Sequence, residues 1–108
     1  MELKNEFNDG CLKISLFGEL DHHSADAFLR GISRSLDDYM PNTCILDMSG
    51  VKFMDSSGIA LILRIYKQLR QSGAKVCVEG LQRQPLKVLE AAGVDRVVKI
   101  LTAVREGE

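Results

Sequence analysis

The sequence predicts a single α/β domain in which helices pack on a mixed, mostly parallel sheet. Its 108 residues lie near the commonest size of one domain. Short apolar runs typical of strands alternate with segments whose apolar residues recur at helical spacing, in the order β-β-α-β-α-β-α-β. Strands that alternate with helices form parallel sheets, while the two adjacent strands at the start predict an antiparallel hairpin.

The composition narrows the classes of function. The net charge is −1 with no basic stripe, which argues against nucleic-acid binding. No apolar run approaches the ~20 residues that span a bilayer, and the polar start of the chain lacks the apolar core of a signal peptide. We therefore expect a cytoplasmic protein with no membrane partner and, since there is no heptad pattern, a monomer when free.

No metal or cofactor site is expected. Cys11, Cys44 and Cys77 are far apart and show no CxxC or Cys/His spacing, which predicts buried free thiols. His22 and His23 are adjacent, so they would point in different directions on a helix, and no third ligand accompanies them.

The first two strands are predicted as a hairpin. Positions 12–17 alternate apolar and polar side chains, as a half-buried strand does. Asn8, Asp9 and Gly10 before them are turn residues, which makes Leu3–Phe7 the partner strand.

The first helix is predicted over 24–39, followed by a buried strand at 44–48. Asp21 or Ser24 can cap the start of this helix, and Pro41 ends the connection. Its apolar residues fall on one face at helical spacing: Ala25, Phe28, Leu29, Ile32 and Leu36.

The second helix, predicted over 57–71, has more apolar side chains than one core face needs. Ser72 and Gly73 are typical of a helix end. Leu61 and Ile65 would point away from the core, so either another helix covers them or they belong to a docking surface. The predicted core face consists of Ile59, Ile62, Leu63, Tyr66 and Leu69.

A strand at 75–79 follows, and then a third helix with Pro85 in its first turn. This helix is predicted to run to Ala92, with Gly93 just past its end. A last short strand is predicted at 97–100.

The loop Phe53–Gly58 places two serine hydroxyls between the buried strand and the second helix. Backbone N–H groups of a first helical turn lack partners, which favours an anion there and hence a phosphoserine, with about −1.5 to −2 charges. The alternative is that a serine merely caps the helix. Because the loop is neither a Gly-x-Ser-x-Gly elbow nor a Walker-type loop, we expect a binding module and not an enzyme.

Two segments resemble the STAS domain family, named for sulphate transporters and anti-sigma-factor antagonists. Gly18–Ala25 resembles the segment after the second strand of the antagonists, and Phe53–Gly58, following Leu46–Ser49, resembles their phosphorylation loop. The order and spacing also match. The resemblance covers essentially the whole chain, thins after Gly80, is closest to the sporulation-type antagonists and implies a STAS-like fold.

The resemblance implies a partner switch. In this family the unphosphorylated antagonist binds an anti-sigma factor that is also a serine kinase, and this binding releases a sigma factor. The kinase phosphorylates the second serine of the pair, here Ser57, and so ejects the antagonist, which a metal-dependent serine phosphatase of the PP2C type restores. The partner-binding residues implied are Asp21, Asp55, Ser56, Ser57, Gly58, Ile59 and Leu61.

Two other classes of function are compatible with the sequence. A STAS subunit of a membrane transport or lipid-trafficking complex would bind a permease or its ATPase without being phosphorylated. An enzyme or nucleotide-binding protein on a flavodoxin-like scaffold is the second. The intact Asp55–Gly58 loop favours the switch, although sporulation and general stress control would use almost the same residues.

Overall fold

A five-stranded sheet carries three helices in the computed structural model, which describes residues 2–101. The strands lie in sequence order, with the first pair antiparallel and every later pair parallel. This confirms the predicted mixed, mostly parallel sheet. The elements are β1 (Glu2–Asn8), β2 (Cys11–Phe17), α1 (Ala25–Tyr39), β3 (Thr43–Gly50), α2 (Ser56–Gln71), β4 (Lys75–Glu79), α3 (Arg83–Ala91), a 3₁₀ turn (Val94–Arg96) and β5 (Lys99–Leu101).

All three helices cover the same face of the sheet. Each parallel connection advances one strand in the same direction, and right-handed crossovers then place every helix on one side. Burial along the strands alternates accordingly: Leu12, Ile14 and Leu16 of β2 are buried, whereas the residues between them are half-buried. The core therefore lies between the helices and one face of the sheet, and the opposite face is open to solvent.

The hairpin forms at the predicted turn. Asp9 and Gly10 are its two loop residues, with φ of 52° and 80°, as in the type I′ turns that suit the twist of paired strands. Both strands are longer than predicted, because Glu2 pairs with Phe17 and Asn8 with Cys11.

The helices end or begin within one residue of the predicted boundaries, and the predicted ends of α1 at Tyr39 and α2 at Gln71 are confirmed. The larger difference is at the end of the described chain, where the last strand is Lys99–Leu101 and not 97–100. Val98 is 1% exposed and packs into the core directly after the 3₁₀ turn. The last strand therefore begins at Lys99, two residues later than predicted.

The predicted core face of α2 is partly confirmed: Ile62 and Leu69 are buried, and Ile59 and Tyr66 pack half-buried against the core. Its inclusion of Leu63 is wrong, because Leu63 is 37% exposed.

Leu61 and Ile65, 3% and 0% exposed, are core side chains and not a docking surface. The buried stripe of α2 begins at Gly58, which has no apolar side chain. A prediction that counts apolar side chains alone cannot see this position, and it therefore placed the core face at the wrong angle around the helix.

The cysteines are only partly as predicted. All three are free, but Cys11 and Cys77 are half-buried and Cys44 alone is fully buried. Burial raises the pKa of the Cys44 thiol to about 12, which keeps it protonated and unreactive at neutral pH. No helix within residues 2–101 is both long and apolar enough to cross a membrane.

Candidate functional site at the start of the second helix

Two loops meet at the carboxyl end of the sheet, one after β2 and one after β3. Leu20 and Met54 form a parallel bridge between them. The Leu20 N–H donates to the Phe53 carbonyl at 3.0 Å, and the Asp55 N–H donates to the Leu20 carbonyl at 3.2 Å. The structure therefore brings together the two segments that the sequence singled out separately.

Asp55 caps α2. Its Oδ1 accepts a hydrogen bond from the Ser57 N–H at 2.7 Å. Its Oδ2 accepts from the His22 N–H at 3.3 Å and lies 3.9 Å from His22 Nδ1. The Asp55 carboxylate thus accepts a hydrogen bond from a backbone N–H of the first turn of α2 and links this helix to the loop that follows β2.

The serines do not cap the helix, which excludes the capping alternative. The side chains of Ser56 and Ser57 form no hydrogen bond with any of residues 2–101. Ser56 is exposed and Ser57 half-buried. Ser57 lines a shallow cleft of about 180 Å³ between α1 and α2, together with His22, Ala25, Asp26, Leu29, Ala60, Leu61 and Arg64.

Gly58 lets α2 approach the β3 loop. A Cβ on Gly58 would meet the Met54 side chain, with Sδ only 2.8 Å away, and would lie 3.2 Å from Leu20 Cδ2. The residue is buried, as is Leu61 beneath the cleft. Both support the site from below and offer a partner very little surface.

The loop before α2 is held by a side chain that the sequence did not single out. The amide of Gln84, on α3, accepts from the Met54 N–H and donates to the Met54 carbonyl, both at 2.9 Å. Gln82 donates to the Ser49 carbonyl at 2.8 Å. No motif signals these contacts, since a glutamine in a first helical turn is ordinarily a surface residue.

Asp21 shapes the loop before α1. Its Oδ1 accepts from the N–H groups of His23 and Ser24 at 3.0 and 3.1 Å, whereas Ser24 makes no cap bond with its own side chain. Desolvation works to raise the pKa of Asp21, but these hydrogen bonds outweigh it and hold that pKa below its ordinary value. Asp21 therefore stays ionised close to the Ser57 cleft.

The predicted partner-binding residues fall into two groups. Asp21, Asp55, Ser56 and Ser57 lie at the surface of the carboxyl end, where Ile59 is half-buried. Phe53, 41% exposed, adds an apolar side chain to this surface. The remaining two predicted residues, Gly58 and Leu61, lie below it.

The fold and this loop geometry define a STAS domain. The model of the STAS domain family matches residues 2–107 of the chain. The chain belongs to the STAS domain family.

The chain is similar to curated antagonists. It is 28% identical over 100 residues to an anti-sigma F factor antagonist of Paenibacillus polymyxa, a match covering 93% of this chain and 86% of the relative. It is 32% identical over 81 residues to an anti-sigma F factor antagonist of Lysinibacillus sphaericus, covering 75% of this chain and 69% of the relative.

Solved structures show the same fold. The unphosphorylated form of the anti-sigma factor antagonist SpoIIAA matches with a TM-score of 0.77 and 26% identity, over 94% of this chain and 89% of that one. The phosphorylated form of SpoIIAA, from Bacillus, matches with a TM-score of 0.69 and 26% identity, over 94% of this chain and 92% of that one.

Proposed function

We propose that this protein is an anti-sigma-factor antagonist switched by phosphorylation of Ser57. The observation that carries the proposal is that Asp55, and not a serine, caps the start of α2. Asp55 caps the helix, so the Ser57 hydroxyl has no structural hydrogen bond within the described chain and is available for modification. The names of the relatives and the two forms of SpoIIAA support the same class of regulator.

In the unphosphorylated form, the carboxyl-end surface binds an anti-sigma factor that is also a serine kinase, and its sigma factor is released. This surface combines the Phe53 side chain with the rigid loop around Asp55. The protein acts as the ligand and substrate of that kinase and contributes no catalytic group of its own.

Phosphorylation of Ser57 adds about −1.5 to −2 charges at neutral pH. The carboxylate of Asp55 is already there, bonded to the Ser57 N–H, and Asp26 lines the same cleft. Three anions at one surface oppose a partner through like-charge repulsion and desolvation. A metal-dependent serine phosphatase of the PP2C type reverses the change.

The fold is expected to tolerate the phosphate. The modified oxygen takes part in no hydrogen bond that stabilises α2, and a helix N-terminus favours anions by about 0.3–1 kcal/mol at exposed sites. The switch therefore changes the charge of a surface and not the arrangement of the sheet.

A pull-down from the native cell extract with ADP present tests the proposal. The baits are the wild type, Ser57→Asp and, as a matched control without the added charge, Ser57→Ala. Wild type and Ser57→Ala should capture a protein with serine kinase activity that Ser57→Asp loses. Capture of the same proteins by all three baits, or of transport components alone, would contradict the switch and favour a STAS subunit of a transport complex.

A further inference from the structure

The outer edge of β1 is unpaired within residues 2–101. Within residues 2–101 β1 pairs with β2 alone, along an uninterrupted register of seven residues. Proteins commonly blunt such edges with short strands, charged side chains, proline or bulges. The described part of the opposite edge strand, β5, has three residues. β1 has neither a proline nor a bulge, but it carries charged side chains of both signs, Glu2, Lys4 and Glu6.

The hairpin determines which backbone groups of β1 point outward. A two-residue loop makes the flanking Asn8 and Cys11 a hydrogen-bonded pair, and bonded pairs then alternate along the ladder. Leu3, Asn5 and Phe7 therefore direct their N–H and C=O groups away from β2.

The side chains of β1 alternate as well. Glu2, Lys4 and Glu6 lie on the open face of the sheet, as their pairing with the open-face residues of β2 requires. Leu3, Asn5 and Phe7 lie on the helix side. There the Asn5 amide donates to Ser35 Oγ at 2.9 Å, and the Phe7 ring lies 5.1 Å from that of Tyr39.

We propose that β1 pairs antiparallel with β1 of a second copy of this chain, about a twofold axis through Asn5. Asn5 then forms a hydrogen-bonded pair with its own counterpart, and Leu3 of each copy forms one with Phe7 of the other. Lys4 of each copy faces Glu6 of the other across a non-bonded pair, where Cα atoms approach to about 4.5 Å and side chains are closest. This interface departs from the monomer that the sequence led us to expect.

Charge selects this register. The outward-pointing groups recur at alternate residues, so the neighbouring registers are displaced by two residues. One of them places Lys4 opposite Lys4 and the other places Glu6 opposite Glu6, both of which are unfavourable. The strand therefore carries opposite charges at the spacing that makes it complementary to itself.

The helix side leaves room for a second strand. α1 contacts Asn5 and Phe7, yet Asn5 remains exposed and Phe7 43% exposed, so the outer flank of β1 stays accessible. The nearby Tyr39 and Met40 are 40% and 81% exposed and extend the apolar surface beside Phe7. The twofold axis directs the two Ser57 sites to opposite ends of a ten-stranded sheet, where both stay accessible.

Sedimentation equilibrium over a range of concentrations tests the dimer with two charge-reversed variants, Lys4→Glu and Glu6→Lys. Wild type should show a monomer–dimer equilibrium, and each variant alone should dimerise about tenfold more weakly, because like charges then face each other. An equimolar mixture of the two variants should regain wild-type affinity as a heterodimer, because an acidic side chain of one copy then faces a basic side chain of the other across both pairs.

Asn5→Pro removes the N–H at the centre of the interface without touching the ladder to β2, and it should abolish dimerisation. Circular dichroism and thermal melting establish that each variant is folded, and a misfolded Asn5→Pro would leave the charge-reversal mixture as the deciding measurement. A wild type that sediments as a monomer at every concentration, or a mixture no tighter than its parts, would overturn the proposal. The Ser57 pull-down is independent of this result.

Discussion

The carboxyl and amino ends of the sheet are built differently. At the carboxyl end, glutamine side chains form hydrogen bonds with the backbone that precedes α2. The Gln84 amide bonds to both backbone groups of Met54, and the Gln82 amide donates to the Ser49 carbonyl. At the amino end, the connections described are held by backbone bonds, such as the Asn42 N–H to the Gly10 carbonyl at 2.8 Å. The amino end nevertheless contains a concavity of about 470 Å³ between the last turns of α1 and α2, larger than the Ser57 cleft of about 180 Å³.

The size of a concavity is therefore not the basis on which we propose the carboxyl end as the partner-binding end. A protein partner needs a surface whose loops keep their positions, and side chains locked by hydrogen bonds provide that rigidity. At the carboxyl end such bonds hold the loop backbone beside the two serines. The side-chain bonds at the cavity of the amino end, Ser33 to Gln68 and Ser72 to Leu69, join helices or lie within one helix end and hold no loop of this kind. Substitutions at the two ends should consequently differ in their effects on stability and on partner capture.

Gln84→Ala should give the largest effect. It leaves the N–H and C=O of the fully buried Met54 without partners, which costs about 2–6 kcal/mol of unfolding free energy at ~1–3 kcal/mol for each unsatisfied group. Gln71→Ala, in the cavity of the amino end, should stay within about 0.5 kcal/mol of wild type. Urea denaturation measures both, and equal losses would remove the contrast between the two ends.

Gly58→Ala should be next, with a loss of about 1–3 kcal/mol, because the new Cβ overlaps the Met54 side chain. The control is Gly73→Ala just past the other end of α2. There a Cβ meets nothing within 4 Å and the cost of about 1 kcal/mol comes from the positive φ. Chemical denaturation gives the stabilities, and a binding titration with the captured partner should show weaker binding for Gly58→Ala alone.

Asp55→Ala should cost about 1 kcal/mol through loss of the helix cap. At the opposite end of the same helix, the hydroxyl of the exposed residue Ser72 donates to the Leu69 carbonyl at 2.9 Å in a part-buried bond. Because water can replace this bond once the hydroxyl is removed, Ser72→Ala should cost about 0.5 kcal/mol or less. Thermal melting compares the two. A Ser72→Ala that is the more destabilising of the pair would contradict the importance assigned to the Asp55 cap.

The smallest effect is expected in the pH dependence of stability near Asp47, in β3. Desolvation works to raise its pKa, but hydrogen bonds from the Ser49 N–H and the Ser15 hydroxyl outweigh it and hold that pKa below its ordinary value. A carboxyl whose pKa is lowered by folding stabilises the protein above its unfolded-state pKa, and this contribution is lost as the pH falls through the folded-state pKa.

The stability advantage of wild type over Asp47→Asn should therefore be constant near neutral pH and shrink below about pH 4. Urea midpoints measured from pH 7 to pH 3 test this. An advantage that grows as the pH falls would contradict the lowered pKa.

Much of the fold could be predicted because its signals are local. The Asn8–Gly10 turn fixes the hairpin, and the alternation of apolar strands and helices determines the parallel order. The core face of α2 could not be predicted in the same way. Its buried stripe includes Gly58, whose role is to allow close approach to Met54, a contact between residues that are near in sequence but on different elements.

The candidate site was predicted in part. The loop Phe53–Gly58 was recognisable, but nothing in it distinguishes a capping Asp55 from a capping serine until the carboxylate is seen bonded to the Ser57 N–H. The Gln84 contact joins residues 30 positions apart and depends on how α3 packs. Such contacts leave no periodicity in the sequence, so they become visible with the tertiary structure.

The most direct test of the account compares the unphosphorylated chain with the chain carrying phosphoserine at position 57. The measurement combines ¹H–¹⁵N NMR spectra with the affinity for the captured partner. The account predicts shifts confined to the loops around Leu20 and Met54 and the first turns of α2, with binding about a hundredfold weaker. Shifts spread through the sheet, or an unchanged affinity, would contradict a switch that acts through surface charge.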